Sequence, residues 1–531
     1  MRFFPKALLL FAAGAGVFAA NQPDGSRWWS YVQFLASDDL EGRNTGSPGH
    51  KKAADYVAAQ FERDGLKPAG TEGYIQPVRF KTLQIDESGS SIDLIRNGRE
   101  EKVTLGDDAI ISSRVDPAPL TEAGLVFVGY GLKAPEKNYD DFAGVDTKGK
   151  IAVYFAGAPS SVSAALASHY QSGAERWRTL KGAGMIGTIS VPNPKHMDIP
   201  WQRQAGNRTQ MSMTLAAPGM DDTAGQQVAI TWNPSRLDQL FAGTNHTLNE
   251  LIDLAEAGKQ LPRFEIPSRI KVRTAVKKGE VVSQNVVGLY PGSDPKLKNE
   301  YVVVCAHVDH LGVGKPVNGD SIFNGAMDNA AGVATLLDTA ANLKESNARM
   351  RRSILFVALT GEEKGLLGSK YFSRNPSGAA AKDLVANINT DMFLPLYPLK
   401  RLTVYGLDES TLGDDARTVA KSMGLEVQLD PDPERNSFIR SDQYSFILNG
   451  IPALAMKDGY VKGTNEEKLF KTWLTERYHA VGDDLNQPVD KQAAALFDVY
   501  VAKLLERVAN EDQKPAWKSD SFFRRYAAGR S

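Results

Sequence analysis

The chain has 531 residues, of which 42% are hydrophobic and 24% charged, an ordinary globular balance for about two domains. Lys plus Arg (62) nearly cancel Asp plus Glu (63), so the charge balance supports neither a nucleic-acid nor an anionic-membrane partner. The single cysteine, Cys305, excludes an intramolecular disulfide and a thiolate metal cage; within Tyr301-Val-Val-Val-Cys-Ala306 it reads as a small core residue.

Arg2 and Lys6 precede an apolar stretch, Ala7 to Ala20, with Val17 and Ala19 suited to the positions before a cleavage site. Residues 1–20 therefore read as a secretory signal, too short to span a bilayer. No cysteine follows to carry a lipid, so the expectation is an exported protein, periplasmic or secreted, with no membrane anchor after cleavage. Residues 21–115 open a first domain with two helical pieces. Trp28 to Leu35 is one, and Ala53 to Phe61, stopping at Gly65, is the other. Residues 116–258 change texture to short apolar runs broken by glycine, among them Leu125 to Tyr130, Lys150 to Phe155, Met185 to Val191 and Val228 to Trp232. This predicts a small β-rich insert with one or two helices.

Residues 259–511 resume the first domain as strand, loop and helix in alternation. Asn285 to Tyr290, Tyr301 to Ala306, Ser353 to Leu359 and Leu384 to Asn389 are strand-length apolar runs, and Gly332 to Leu343 and Gly365 to Phe372 are helical. The fold class expected is α/β, a mixed and mostly parallel sheet sandwiched by helices, with the β-rich domain inserted. Residues 512–531 are polar and basic and are expected to form a loose tail.

Three of the strands run into metal-competent residues: His307-Val-Asp309-His310, Thr360-Gly-Glu362-Glu363 and Thr390-Asp391. In open α/β sheets ligands bind beyond the carboxyl ends of the strands, so these segments converge on one crevice. Asp328, just before a predicted helix, and the late His479 complete a set of two histidines and three carboxylates. Such a set suits a pair of divalent ions with one carboxylate shared. Of the adjacent Glu362 and Glu363 only one readily ligates an ion, leaving the other to move a proton. His310 is read as a residue that packs or supports a ligand from behind, and His50, His169, His196 and His246 as surface residues. No His-Glu-x-x-His and no phosphate-binding Gly-Lys-Ser/Thr are present.

On Ala306-His-Val-Asp-His-Leu-Gly312, Gly325-Ala-Met-Asp-Asn-Ala-Ala-Gly332, Thr360-Gly-Glu-Glu-Lys-Gly-Leu-Leu-Gly-Ser369, Asn389-Thr-Asp391 and Tyr478-His479, the chain resembles the di-zinc aminopeptidase family. That family includes bacterial leucyl aminopeptidases, aminopeptidase Y and glutamate carboxypeptidases. Leu35-Ala-Ser-Asp-Asp-Leu-Glu-Gly-Arg43 resembles its N-terminal segment. The resemblance implies two zinc ions, with cobalt or manganese as substitutes. Asp328 would bridge them, with His307 and Asp391 on one and Glu363 and His479 on the other. It further implies Glu362 as general base, Asp309 orienting His307 from behind, and a cis peptide at Asp328-Asn329. The activity implied is removal of N-terminal residues from peptides by attack of a metal-held hydroxide. A carboxypeptidase or dipeptidase on the same scaffold, and a binding module without turnover, are the rival readings. Val126-Phe-Val-Gly-Tyr-Gly131, Tyr139-Asp-Asp-Phe-Ala-Gly-Val-Asp146 and Gly149-Lys-Ile151 resemble a protease-associated domain. The chain departs from the family pattern at Ser441-Asp442-Gln443 and at Ala480-Val481. Tyr444, a candidate for polarising a substrate carbonyl, reads better as a core tyrosine.

Overall fold

The computed structural model describes residues 24–529 apart from Asp198 and Asn436. The expected signal segment, 1–20, lies outside the described residues. Two main sheets carry the chain, one of ten strands and one of eight.

Continuous apolar runs make the middle of the first sheet, because a strand covered on both faces has no side left for polar residues. Ser353–Leu359, Tyr301–His307, Leu384–Asn389 and Ala453–Asp458 lie side by side and parallel, and every residue of Ser353–Leu359 is buried. Pairing from Tyr301↔Ser353 to His307↔Leu359 brings the carboxyl ends of the two central strands level. Antiparallel neighbours flank this parallel core, Val276–Tyr290 on one side and Arg401–Tyr405 on the other.

Helices Ser26–Leu35, Pro48–Arg63, Ala331–Glu345 and Lys491–Asn510 bury Trp28, Phe61, Leu337 and Phe497 in the core on one face. Leu367–Arg374 and Gln443–Ile447 cover the other with Phe372 and Phe446. Local sequence sets the ends of Pro48–Arg63. Ser47 Oγ accepts from the backbone N–H of His50, and Pro48 takes a first-turn position whose N–H would have no helical partner. The result is the mixed α/β sheet, helices on both faces, that the sequence predicts.

The second sheet runs Arg99–Val103, Ser91–Arg96, Arg263–Arg273, Leu120–Val128, Ile151–Phe155, Gly187–Val191, Val228–Trp232, Ala109–Ile111. It encloses its own core around Phe127, Phe155, Trp232 and Phe241. The expected insert of 116–258 is thus too short: the sheet begins at Ser91 and ends at Arg273. The outer strand Arg99–Val103 exposes all but its last residue, and Arg263–Arg273 alternates between exposed and covered positions, so neither offers an apolar run. One insert segment, Ser212–Leu215, leaves the second sheet and pairs antiparallel with Ile75–Ile85 of the first. The insert is also richer in helix than expected, with Ala164–Gln171, Gly173–Gly182 and Leu248–Glu256 among its helices.

The expectation of a loose tail is overturned. Trp517 Nε1 donates to Gly450 O at 3.0 Å, and Phe523 is fully buried in the first sheet's core. Arg525 pairs with Glu136 of the insert, and Tyr526 Oη lies 3.0 Å from His169 Nε2. The aromatic residues pull an otherwise polar segment onto the body as a strap between the two sheets. Among the described residues no helix is long and apolar enough to cross a membrane.

Candidate metal centre

Parallel, level strands deliver their loops to one edge of the sheet. His307 closes Tyr301–His307, Glu362 and Glu363 follow Ser353–Leu359, and Asp391 stands just beyond Leu384–Asn389. Asp328 comes from the loop before Ala331–Glu345, and its peptide bond to Asn329 is cis. Gly325 in that loop adopts φ 61, and a Cβ there would lie 2.3 Å from Asp328 O and 2.6 Å from the His310 ring. Only glycine fits. His479 reaches in from the turn after Asn465–Glu476 with φ 53, a left-handed backbone that costs a residue bearing a side chain about 1 kcal/mol.

The side chains meet in two groups that share Asp328. His307 Nε2 lies 3.3 Å from Asp328 Oδ1 and 3.3 Å from Asp391 Oδ1. His479 Nε2 lies 3.2 Å from Asp328 Oδ2 and 3.3 Å from Glu363 Oε2. Donors about 2.0–2.1 Å from a tetrahedral zinc are about 3.3 Å from one another, so these spacings fit the edges of two coordination shells meeting at the Asp328 carboxylate. The donor set, imidazole nitrogens and carboxylate oxygens without a thiolate, also suits zinc or a similar divalent ion.

Buried polar atoms point the same way. Among the described residues His310 Nε2 has no hydrogen-bond partner, and His310 Nδ1 and Glu363 Oε1 have only each other. His310, expected either to pack or to support a ligand from behind, takes a place against Glu363. It is fully buried with Nδ1 2.7 Å from Glu363 Oε1, and His310, Asp328 and Glu363 present ligand atoms within 4.8 Å of one another. His307, Glu362 and Asp391 do the same.

The electrostatics follow from crowding carboxylates in a dry pocket. Burial works against a charged His307, yet Glu362 and Asp391 hold it well above the usual imidazole range. Burial likewise opposes a charged His479, and Glu363 reverses it. Asp328 stays well below the ordinary carboxylate range in spite of burial, because both histidines bond to it. Glu362 moves the other way: burial first, then the charges of Glu363 and Asp391 against the pull of His307, push it well above that range. Divalent cations satisfy such a cluster in place of protons.

A ring of residues the sequence reading did not single out holds the loops. Asp483 accepts from the backbone N–H groups of Met327 and Asp328 at 2.9 and 3.0 Å and from Gln487 Nε2 at 2.6 Å. Asn329 ties the Asp328 loop to the Asp391 loop. Its Nδ2 donates to Thr390 O at 3.0 Å, and its Oδ1 accepts from the Gly332 and Met392 N–H groups. Arg43, fully buried, donates to the carbonyls of Val308, Leu35, Asn324 and Gly325.

Asp309, expected to orient His307 from behind, lies against it through its main chain. His307 Nδ1 lies 3.1 Å from the backbone oxygen of Asp309, while the carboxylate is 4.0 Å away. That carboxylate instead accepts from Thr45 Oγ1 and from the backbone N–H of Glu362, fixing the Glu362 turn. His50 and His169 are corrections too, both buried against the expectation of a surface position, whereas His196 is exposed. Tyr444 is a core tyrosine, with Oη 2.9 Å from His169 Nδ1.

A cleft of about 1230 Å³ opens on the centre. Glu362, Glu363 and His479 line it, together with Pro159, Asn193 and His196 of the insert.

Fold and site together give an α/β protein whose central strands carry imidazole nitrogens and carboxylates, a donor set suited to a divalent metal, to their carboxyl ends. Residues 285–504 match the model of peptidase family M28. It is 27% identical to a probable leucine aminopeptidase 2 of Aspergillus oryzae over 44% of this chain and 45% of that protein. It is 28% identical to carboxypeptidase Q of Rattus norvegicus over 43% of each. The chain spans less than half the length of these curated relatives. An aminopeptidase from Aneurinibacillus sp. strain AM-1, 20% identical with a TM-score of 0.56, is covered over 96% of its length by 93% of this chain and shares its fold.

Proposed function

We propose that the protein is an exported two-zinc aminopeptidase. The observation that carries this reading is the placement of Asp328 between His307 and His479, 3.3 and 3.2 Å away, with Glu362 lining the same cleft. His307 and Asp391 would hold one ion, Glu363 and His479 the other, and Asp328 both. When bound, the ions supply Lewis-acid charge and an acidified water. Export rests on the composition of residues 1–20, and the peptide substrate on the match of residues 285–504 to a peptidase family.

The chain's own residues do the rest. Glu362, its turn pinned by Asp309, takes a proton from the attacking water and passes it to the departing amine as the C–N bond breaks. Asp483 and Asn329 keep the Asp328 carboxylate aimed between the two histidines. The insert wall narrows the approach to the centre and displaces bulk water from it.

The test is hydrolysis of aminoacyl-nitroanilides and N-blocked peptides by zinc-loaded protein, with and without chelator. Chelator-sensitive release from free amino termini is expected. Cleavage of blocked peptides alone would move the reading to a carboxypeptidase, and no turnover at two zinc equivalents per chain would leave a binding module.

A further inference from the structure

The charges lining the cleft do not cancel evenly. Away from the metal-binding edge its acids have partners. Glu175 pairs with Arg178 at 2.6 Å, Asp222 with Lys370 at 2.6 Å and Glu256 with His196 at 2.8 Å. Beside Glu362 the balance reverses. Arg114, carried on the insert segment between Ala109–Ile111 and Leu120–Val128, donates from Nη2 to the backbone oxygen of Glu363 at 3.2 Å. Its backbone is pinned, since Arg114 N donates to Ser112 Oγ and Ser113 O accepts from Ser212 Oγ.

Lys364 follows Glu363 on the same turn and is only 7% exposed, yet it lines the cleft with Arg114. Among the described residues no carboxylate lies within ion-pair distance of Lys364 Nζ or of the Arg114 guanidinium. The carboxylates that reach Lys364 at longer range are Asp309, committed to Thr45 and the Glu362 turn, and Glu363, committed to the metal centre. Two neighbouring cations in a partly dry cleft repel each other and are stabilised by an anion held between them.

Their position says which part of a substrate supplies that anion. Glu362 delivers its proton to the departing amine, so groups clustered on its side face the departing residue. In a dipeptide that residue carries a free carboxylate one carbon from the amine. We propose that Arg114 and Lys364 form a carboxylate clamp for the departing residue, making dipeptides and other short peptides with a free carboxylate there the preferred substrates. This rests on the peptidase reading above. Arg114 supplies a planar fork and Lys364 a point charge, a pairing that suits a carboxylate better than a neutral amide.

The experiment compares a dipeptide with a free amino terminus, leucyl-alanine, with its C-terminal amide on zinc-loaded full-length protein. The free acid should be favoured about tenfold or more in kcat/KM, as one charge-assisted contact gives. In Lys364→Met the acid-to-amide ratio should fall toward unity, chiefly through KM for the acid, and Lys364→Arg should restore it. Equal turnover of acid and amide by the unaltered protein overturns the clamp without any variant, and so does a ratio that survives in Lys364→Met. Failure of the peptidase reading looks different: neither peptide is turned over by protein carrying two zinc equivalents, and the clamp falls with it.

Discussion

Arg43→Met should cost far more than an ordinary surface arginine. The guanidinium is buried and bonds to the carbonyls of Leu35, Val308, Asn324 and Gly325, and among the described residues no carboxylate is in ion-pair contact with it. Burial lowers its pKa to about 10, and the acids of the metal centre, Asp483 and Asp309 foremost, work to keep it charged. Bonds from a charged donor contribute about 1.5–3 kcal/mol each, so the set is worth roughly 6–12 kcal/mol gross. Leaving the guanidinium hydrated instead returns several kcal/mol, which brings the expected loss to about 3–5 kcal/mol. Arg43→Lys should recover less than half of it, since a single ammonium cannot span acceptors on three separate segments. Val308 follows His307, and Asn324 and Gly325 lead into the Asp328 loop, so slack there should also weaken metal binding by about 10–100-fold. Urea unfolding followed by tryptophan fluorescence, with zinc competition on the folded protein, reads both effects. A loss under about 1 kcal/mol with zinc affinity intact would refute Arg43 as the brace of the two loops.

Glu362→Gln should keep its zinc content yet lose at least ~100-fold in kcat, and turnover retained in a metal-loaded variant would remove Glu362 from proton transfer. Acid should destabilise the fold through two buried histidines. Burial depresses both His50 and His169 to about 4, with the charges of Arg525 and Arg178 adding to the effect at His169. The unfolded chain takes up these protons near pH 6.5 and the folded one near 4, so the stability is full above 6.5 and lost as pH falls toward 4. Each histidine should cost about 2 kcal/mol between pH 7 and pH 5. Urea midpoints of His169→Gln at the two pH values should show a fall smaller by that amount, and an unchanged pH dependence would sink the argument.

The parts of the molecule legible in the sequence are those with a one-dimensional signature. Ser353–Leu359 and Leu384–Asn389 are buried along their whole length, so uninterrupted apolar runs mark them as central strands, and the polar residues at their ends can only sit at the sheet's edge. Glu362, Glu363 and Asp391 were reachable for that reason. Arg43, Asn329 and Asp483 were not, because their partners are backbone groups on distant segments and any sequence supplies backbone groups. His50 was misjudged similarly, since Ser283 Oγ, its contact at 3.2 Å, is far along the chain. For His310 the sequence left packing and support of a ligand open: in His-Val-Asp-His the first histidine closes the strand, and only the fold turns the second toward Glu363. In the C-terminal segment the frequent charges outweighed Trp517, Phe522, Phe523 and Tyr526, although these aromatics decide where it lies.

The insert's limits were obscure for a different reason, which bears on the cleft. Its sheet is entered through a charged hairpin and left through a strand of alternating burial, and Ser212–Leu215 returns to pair with Ile75–Ile85 of the first sheet. The strap adds a second attachment. Phe523 is anchored in the first sheet's core while Arg525 and Tyr526 hold Glu136 and His169 of the insert. A third runs through Arg203, whose Nη1 and Nη2 donate to Tyr478 O and Thr475 O beside His479. Ladder hydrogen bonds, a buried aromatic ring and charged donors to backbone oxygen are lost together only if the wall moves as a unit, so the three attachments act cooperatively. The wall that carries Arg114 is therefore set relative to Glu362 before any substrate arrives. A polar pair held in place in advance loses little entropy on binding, which is the condition under which a cationic clamp contributes specificity instead of merely attracting anions.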